Sequence, residues 1–178
     1  ILSILMLNDT ILAGTWEGFY RCTLSEISWE PFEPTGIPQN TPVCSIANIG
    51  NTLFAGSMGK IYKSSINDVN NWSEAGNGFP ANTRILSIVS NGNAILAGTD
   101  NKGIYISTNA GLNWTAFNSG LPSQNISQLV AVGTKVFAVT VANGVLISDI
   151  NDTNIAAGFA SMGWTPNSSE LENINCLF

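Results

Sequence analysis

A unit of 41 or 42 residues is written four times along this chain, and that repetition limits what the chain can fold into more than any other feature. "ILSILMLNDTILAGT" from Ile1 aligns with "VCSIANIGNTLFAGS" from Val43, "ILSIVSNGNAILAGT" from Ile85 and "ISQLVAVGTKVFAVT" from Ile126. Each unit continues in the same order, with a glycine ahead of an apolar pair: "GFYRC" at Gly18, "GKIYKS" at Gly59, "GIYIS" at Gly103 and "GVLIS" at Gly144. A tryptophan follows at Trp29, Trp72 and Trp114 and, after a longer stretch, at Trp164. The first three units then close on glycine, an apolar residue and proline: Gly36-Ile37-Pro38, Gly78-Phe79-Pro80 and Gly120-Leu121-Pro122.

Within a unit the apolar runs are short, rich in β-branched and aromatic residues, and punctuated by Asn, Gly and Asp, which is the pattern of strand, turn and strand. No segment sustains a helical period. The third unit predicts strands at Ile85–Val89, Ile95–Gly98, Gly103–Ser107 and Trp114–Phe117. Four antiparallel strands recurring at this spacing predict an all-β propeller, with blades at 1–42, 43–84, 85–125 and 126–173. Residues 174–178 resemble the first strand of a further blade. That surplus strand predicts a ring of six to eight blades, closed by remaining blades or by a second copy of the chain.

The stretch "STNAGLNW", Ser107 to Trp114, resembles the Asp box, or bacterial neuraminidase repeat, whose pattern is Ser-x-Asp-x-Gly-x-x-Trp. Asn109 stands where that family has Asp. The copy ending at Trp72 keeps Ser and Trp, and the copy ending at Trp29 keeps little more than Trp. The box is expected to lock a hairpin: Asn109 accepts turn N–H groups, Gly111 takes positive φ, and Trp114, Trp72 and Trp29 wedge between neighbouring blades. The resemblance implies the propeller fold and an exported protein, secreted, periplasmic or at the cell surface. In that family the box lies opposite the face that holds active sites.

Function classes are narrowed by what the chain carries. Six Lys and Arg against twelve Asp and Glu give a net charge of -6, with no basic cluster to follow a phosphate backbone, so nucleic acid is not an expected partner. No apolar run has the length of a membrane span. With no histidine, no C-x-x-C spacing and no Gly-rich phosphate loop, the expectation is no metal and no cofactor. Cys22, Cys44 and Cys176 read as small buried hydrophobes. Sequons stand at Asn8, Asn71, Asn113, Asn125, Asn151 and Asn167, and about four would arise by chance in a chain this rich in Asn, Ser and Thr. Asn151-Asp152 is the only stretch that hints at calcium.

The turns between second and third strands and the links between blades should emerge on one face. Ligand-binding candidates there are Trp16, Glu17, Asp100, Asn101, Lys102, Arg84 and Gln124, amides and charges beside an aromatic, suited to sugar or peptide surfaces. No catalytic residue is assigned. Sialidases of the resembled family clamp a carboxylate with three arginines, and this chain has two, Arg21 and Arg84. The expected function is therefore a noncatalytic scaffold presenting loops to a glycan or a protein. Two alternatives stand beside it: part of a glycoside hydrolase using paired carboxylates such as Glu17 and Asp100, with catalytic residues partly outside this chain, and a protein-complex assembly factor.

Overall fold

Each apolar run of the repeat becomes a strand. The computed structural model describes residues 1–150 and the strand Thr165–Pro166. Blade 1 comprises β1 (Ser3–Leu7), β2 (Thr10–Thr15), β3 (Gly18–Thr23) and β4 (Trp29–Phe32). Blade 2 comprises β5 (Ser45–Ile49), β6 (Thr52–Gly56), β7 (Ile61–Ser65) and β8 (Asp68–Glu74). Blade 3 is β9 (Ile85–Asn91), β10 (Ala94–Thr99), β11 (Ile104–Ser107) and β12 (Thr115–Ala116), and blade 4 is β13 (Ile126–Val132), β14 (Lys135–Thr140), β15 (Gly144–Asp149) and β16 (Thr165–Pro166). Every blade is a four-stranded antiparallel meander in chain order. The protein is a four-bladed β-propeller. Trp164, Cys176, Asn151-Asp152 and the strand expected at 174–178 lie outside the described residues.

The first two strands of each blade are joined by two-residue turns, closing the pairs Leu7↔Thr10, Ile49↔Thr52, Asn91↔Ala94 and Val132↔Lys135. The first turn residue has positive φ in every case, at Asn8, Gly50, Gly92 and Gly133, as in the turns whose twist matches antiparallel strands. Pro31, which has no N–H to donate, sits in β4, an edge strand where the missing donor is tolerated.

Blades stack through their faces. Leu12 and Phe19 of blade 1 meet Val43, Leu53, Tyr62 and Trp72 of blade 2. Phe54 and Ile61 of blade 2 then meet Ile85, Ile88, Tyr105 and Trp114 of blade 3. Leu96 and Ile104 of blade 3 meet Ile126, Leu129, Val136 and Leu146 of blade 4 in the same manner. The inner strands pack β1 on β5, β5 on β9 and β9 on β13, and among the described residues no comparable packing joins β13 to β1.

The connection between blades is a second, polar level of the same interface. Thr35 pairs in parallel with Asn71, and its carbonyl accepts the Trp72 N–H at 2.9 Å. One repeat later, Asn77 pairs with Asn113 and its carbonyl accepts the Trp114 N–H at 3.1 Å. Gly36 and Gly78, both at positive φ, lie so close to the Trp72 and Trp114 carbonyl oxygens that a methyl group would collide. The next residue enters the following blade: Ile37 packs on the cluster around Trp72, and the Phe79 ring lies 5.2 Å from that of Trp114 and 4.8 Å from that of Tyr105. The Gly-apolar-Pro links are thus the pegs that join blade to blade.

The hairpin at Ser107–Trp114 is closed by its own side chains. Asn109 Oδ1 accepts the Asn113 N–H at 2.9 Å and the Ser107 hydroxyl at 3.0 Å, while Ser107 Oγ accepts the Gly111 N–H at 3.0 Å. Gly111 has φ of 80° and faces the Phe54 ring of blade 2. Trp72 and Trp114 are 5% and 4% exposed. Trp29 departs from the expectation of a buried wedge and is 44% exposed, because no preceding blade lies against it among the described residues.

Candidate binding face

A threonine at the end of the second strand shapes the loops of one face. Thr15, Thr99 and Thr140 each donate the hydroxyl proton to the carbonyl of the glycine that opens the third strand, Gly18, Gly103 and Gly144, at 2.7 to 3.1 Å. Each Oγ1 also accepts one turn N–H at 3.0 Å, from Glu17, Lys102 and Asn143. One small side chain thereby satisfies both a donor and an acceptor that the turn would otherwise leave open. The repeated Thr-x-x-Gly and Thr-x-x-x-Gly spacing carries this signal in the sequence.

These turns are hydrogen-bonded to the links between blades. The Gly59 N–H donates to the Thr83 carbonyl, Gly103 to Gln124, Asp100 to Arg84 and Val141 to Asn125. The two sets of loops form one layer, which fixes the relative positions of residues from different blades.

Within that layer three of the expected ligand-binding candidates come together. Arg84 Nε donates to Asp100 Oδ2 at 2.7 Å, and the Arg84 backbone N–H donates to Asp100 Oδ1 at 3.2 Å. Both carboxylate oxygens are therefore occupied by one residue. The Arg84 guanidinium lies 5.6 Å from the centre of the Trp16 indole, within cation–π range. Trp16 is 51% exposed, presenting an indole surface to solvent. Blade 1 contributes Trp16, the link from blade 2 contributes Arg84, and blade 3 contributes Asp100.

Beneath the cluster lies Cys44, a residue read from sequence only as a buried hydrophobe. Its burial pushes the thiol above the ordinary value of 9.0, opposed by the positive charge of Arg84 and reinforced by Asp100. The thiol is consequently a neutral filler at physiological pH rather than a nucleophile. Cys22 is also buried, and among the described residues neither cysteine is in a disulfide.

The remaining candidates are placed apart from this cluster. Glu17 lines a separate cleft of about 270 Å³ on blade 1, with Tyr20, Glu33, Gln39 and Asn40 on its walls. Glu33, which sequence reasoning passed over, accepts a hydrogen bond from Gln39 Nε2 at 2.8 Å. Asn101, Lys102 and Gln124 are exposed around blade 3, and the latter two use their carbonyls structurally, for Asn118 Nδ2 and for the Gly103 N–H. The other ion pairs among the described residues, Arg21–Glu30, Lys60–Glu74 and Lys135–Asp149, are solvent-exposed, where water and salt screen such pairs and leave them little weight. No group of three or more metal-binding side chains occurs among the described residues. Among the described residues no helix is long and apolar enough to cross a membrane.

Comparison with known proteins agrees with this architecture. Residues 6–148 match the family model described as the DUF6242 beta propeller domain. No curated protein matches the sequence. Among solved structures, the computationally designed Ika4 protein superposes with a TM-score of 0.64 at 12% identity, over 85% of this chain and 91% of that one. The designed Ika8 protein gives 0.61 at 13% identity, over 85% of this chain but 46% of its own. The extracellular domain of BT4673 from B. thetaiotaomicron gives 0.62 at 21% identity, over 78% of this chain and 20% of that domain. The chain therefore spans nearly all of Ika4, under half of Ika8 and a fifth of the BT4673 domain.

Proposed function

The chain belongs to the DUF6242 β-propeller domain family, and from that premise we propose that it is a noncatalytic scaffold whose loop face binds a carbohydrate through Trp16. The carrying observation is the half-exposed indole with the Arg84 guanidinium stacked near it and Asp100 holding that guanidinium in place. An indole face suits the CH surface of a sugar ring, and a guanidinium donates to hydroxyls. The ion pair restricts Arg84 before any ligand arrives, which lowers the entropy cost of binding.

Asp100 supports the noncatalytic reading. A carboxylate whose two oxygens are both taken by Arg84 is poorly placed as an acid or nucleophile for a glycoside. Arg21, the other arginine, is paired with Glu30 on an outer strand of blade 1. Export belongs to this reading and rests on the likeness of Ser107–Trp114 to the Asp box. Exposed Trp beside Arg is also the composition of protein hot spots, which favours a protein ligand as the second reading.

The test is a titration of the chain with a panel of oligosaccharides, followed by intrinsic fluorescence and calorimetry. At least one sugar is expected to bind saturably, and Trp16→Ala to weaken it about tenfold or more, the equivalent of about 1.4 kcal/mol. Absence of saturable binding across the panel overturns the carbohydrate reading and leaves a protein ligand, to be sought with the same variant as control.

A further inference from the structure

We propose that the cleft between blades 2 and 3 binds an oxyanion, a phosphate or sulfate group, through Lys63. The position of Lys63 recurs in each blade. The third strand carries Arg21 opposite Leu12 in blade 1, Lys63 opposite Phe54 in blade 2 and Ile106 opposite Leu96 in blade 3. Each lies two residues beyond Phe19, Ile61 or Ile104, which pack toward the following blade, and so shares that face of its sheet.

The three blades treat this position differently. Ile106 is buried against blade 4. Arg21 is neutralised by Glu30, its neighbour on the fourth strand, at 2.6 Å. Lys63 has neither arrangement, because its neighbour on the fourth strand is Ser73, where blade 1 has the acid. Of the six Lys and Arg in the chain, Arg21, Lys60, Arg84 and Lys135 stand in ion pairs, whereas Lys63 and Lys102 do not. Lys102 is exposed and Lys63 is half-buried. A cation partly withdrawn from water without a counter-charge is costly to hold, and a repeat that departs from its own pattern at one place marks that place for a ligand.

The surroundings suit an anion. Thr52, Lys63, Ser65, Asn71 and Ser73 of blade 2 line a cleft of about 440 Å³, with Ala110 of the Ser107–Trp114 hairpin on the side of blade 3, and no carboxylate is among its lining residues. The Thr52 and Ser73 hydroxyls make no hydrogen bond to protein among the described residues. Ser65 Oγ accepts the Asn67 N–H at 3.2 Å and keeps its own proton to donate. Asp68, which pairs with Ser65 across the hairpin, commits its two oxygens to the Asn70 N–H and to Asn71 Nδ2. One ammonium and three hydroxyl donors therefore face a space without a carboxylate, the donor set that a tetrahedral oxyanion takes. The β5–β6 turn and the β7–β8 hairpin fall at the end of the antiparallel meander opposite the β6–β7 turn, so this cleft stands away from the loops around Trp16.

The experiment is a titration of the intact chain with inorganic phosphate, and separately with inorganic sulfate, followed by amide proton–nitrogen NMR at constant ionic strength so that screening does not change. Saturable shifts are expected at Lys63, Ser65, Ser73 and Ala110. Lys63→Gln should weaken binding by about tenfold or more. Ser73→Glu should do the same by giving Lys63 the internal partner that Arg21 has in Glu30. Lys60→Gln, which removes a cation already paired with Glu74, should leave binding unchanged. The amide spectra themselves show whether each variant keeps its fold. Absence of saturation with both anions overturns the proposal, as do saturable shifts that persist unweakened in Lys63→Gln. A monosaccharide phosphate that binds more tightly than inorganic phosphate would identify the anion as a group on a larger molecule, and equal binding would identify a free ion. Trp16→Ala should leave these shifts intact, so this proposal and the carbohydrate reading fail independently.

Discussion

Equivalent tryptophans in one repeat differ in what they hold together. Trp114 is buried between blades 2 and 3 against Phe79, so Trp114→Ala is expected to cost about 3–5 kcal/mol, as large core truncations do. Trp29 has the same place in its unit but no covering blade, and Trp29→Ala in dilute protein should cost about 1 kcal/mol or less. Urea melts of the two variants check the contrast; equal losses would show that burial between blades is not what the tryptophans contribute. Asp100→Asn should act at the binding face without unfolding the chain. It removes the charge that orients Arg84, and the expected result is a change in Trp16 fluorescence with a nearly unchanged melting midpoint.

Among the elements, the links between blades are less tolerant of change than the turns within them. Gly36 has φ of 84° and faces the Trp72 carbonyl oxygen, so Gly36→Ala adds both backbone strain and a collision with main chain. A loss of about 2 kcal/mol or more is expected. Gly133 also has positive φ, 59°, but nothing lies within 4 Å of where its Cβ would stand. Asparagine tolerates that conformation, so Gly133→Asn should cost about 1 kcal/mol or less. Thermal melts of this pair separate steric closeness from φ alone, since both glycines share the sign of φ.

For the molecule as a whole, burial ties stability to alkaline pH. Burial raises the Cys44 thiol above 9.0 and the Tyr62 and Tyr105 phenols above 10.0. In each case the unfolded chain releases its proton first, so the contribution is complete below the unfolded value and is lost as pH rises through the folded one. Stability measured in urea should accordingly begin to fall as pH rises past the ordinary thiol value of 9.0 and go on falling above the ordinary phenol value of 10.0, and the fall should be shallower in Cys44→Ala and Tyr105→Phe. A slope indifferent to both substitutions would assign the effect to other groups.

The sequence by itself determined the repeat, the four-strand order and most strand limits, because strand periodicity and turn chemistry are local. Ile85–Val89, for example, was legible as a strand from its apolar pattern, and the structure carries it on to Asn91, where the Gly92-Asn93 turn ends it. The pairing of Asn109 with the Asn113 N–H was equally local, four residues apart. Only the tertiary structure decided that Trp16, Arg84 and Asp100 meet while Glu17 turns to another cleft, since those contacts join residues 16 to 68 positions apart through loops whose spacing carries no periodic signal. It also decided the fate of Trp29. Exposure belongs to a position relative to neighbouring blades, and a repeat that writes the same tryptophan three times cannot say which copy is left without a cover.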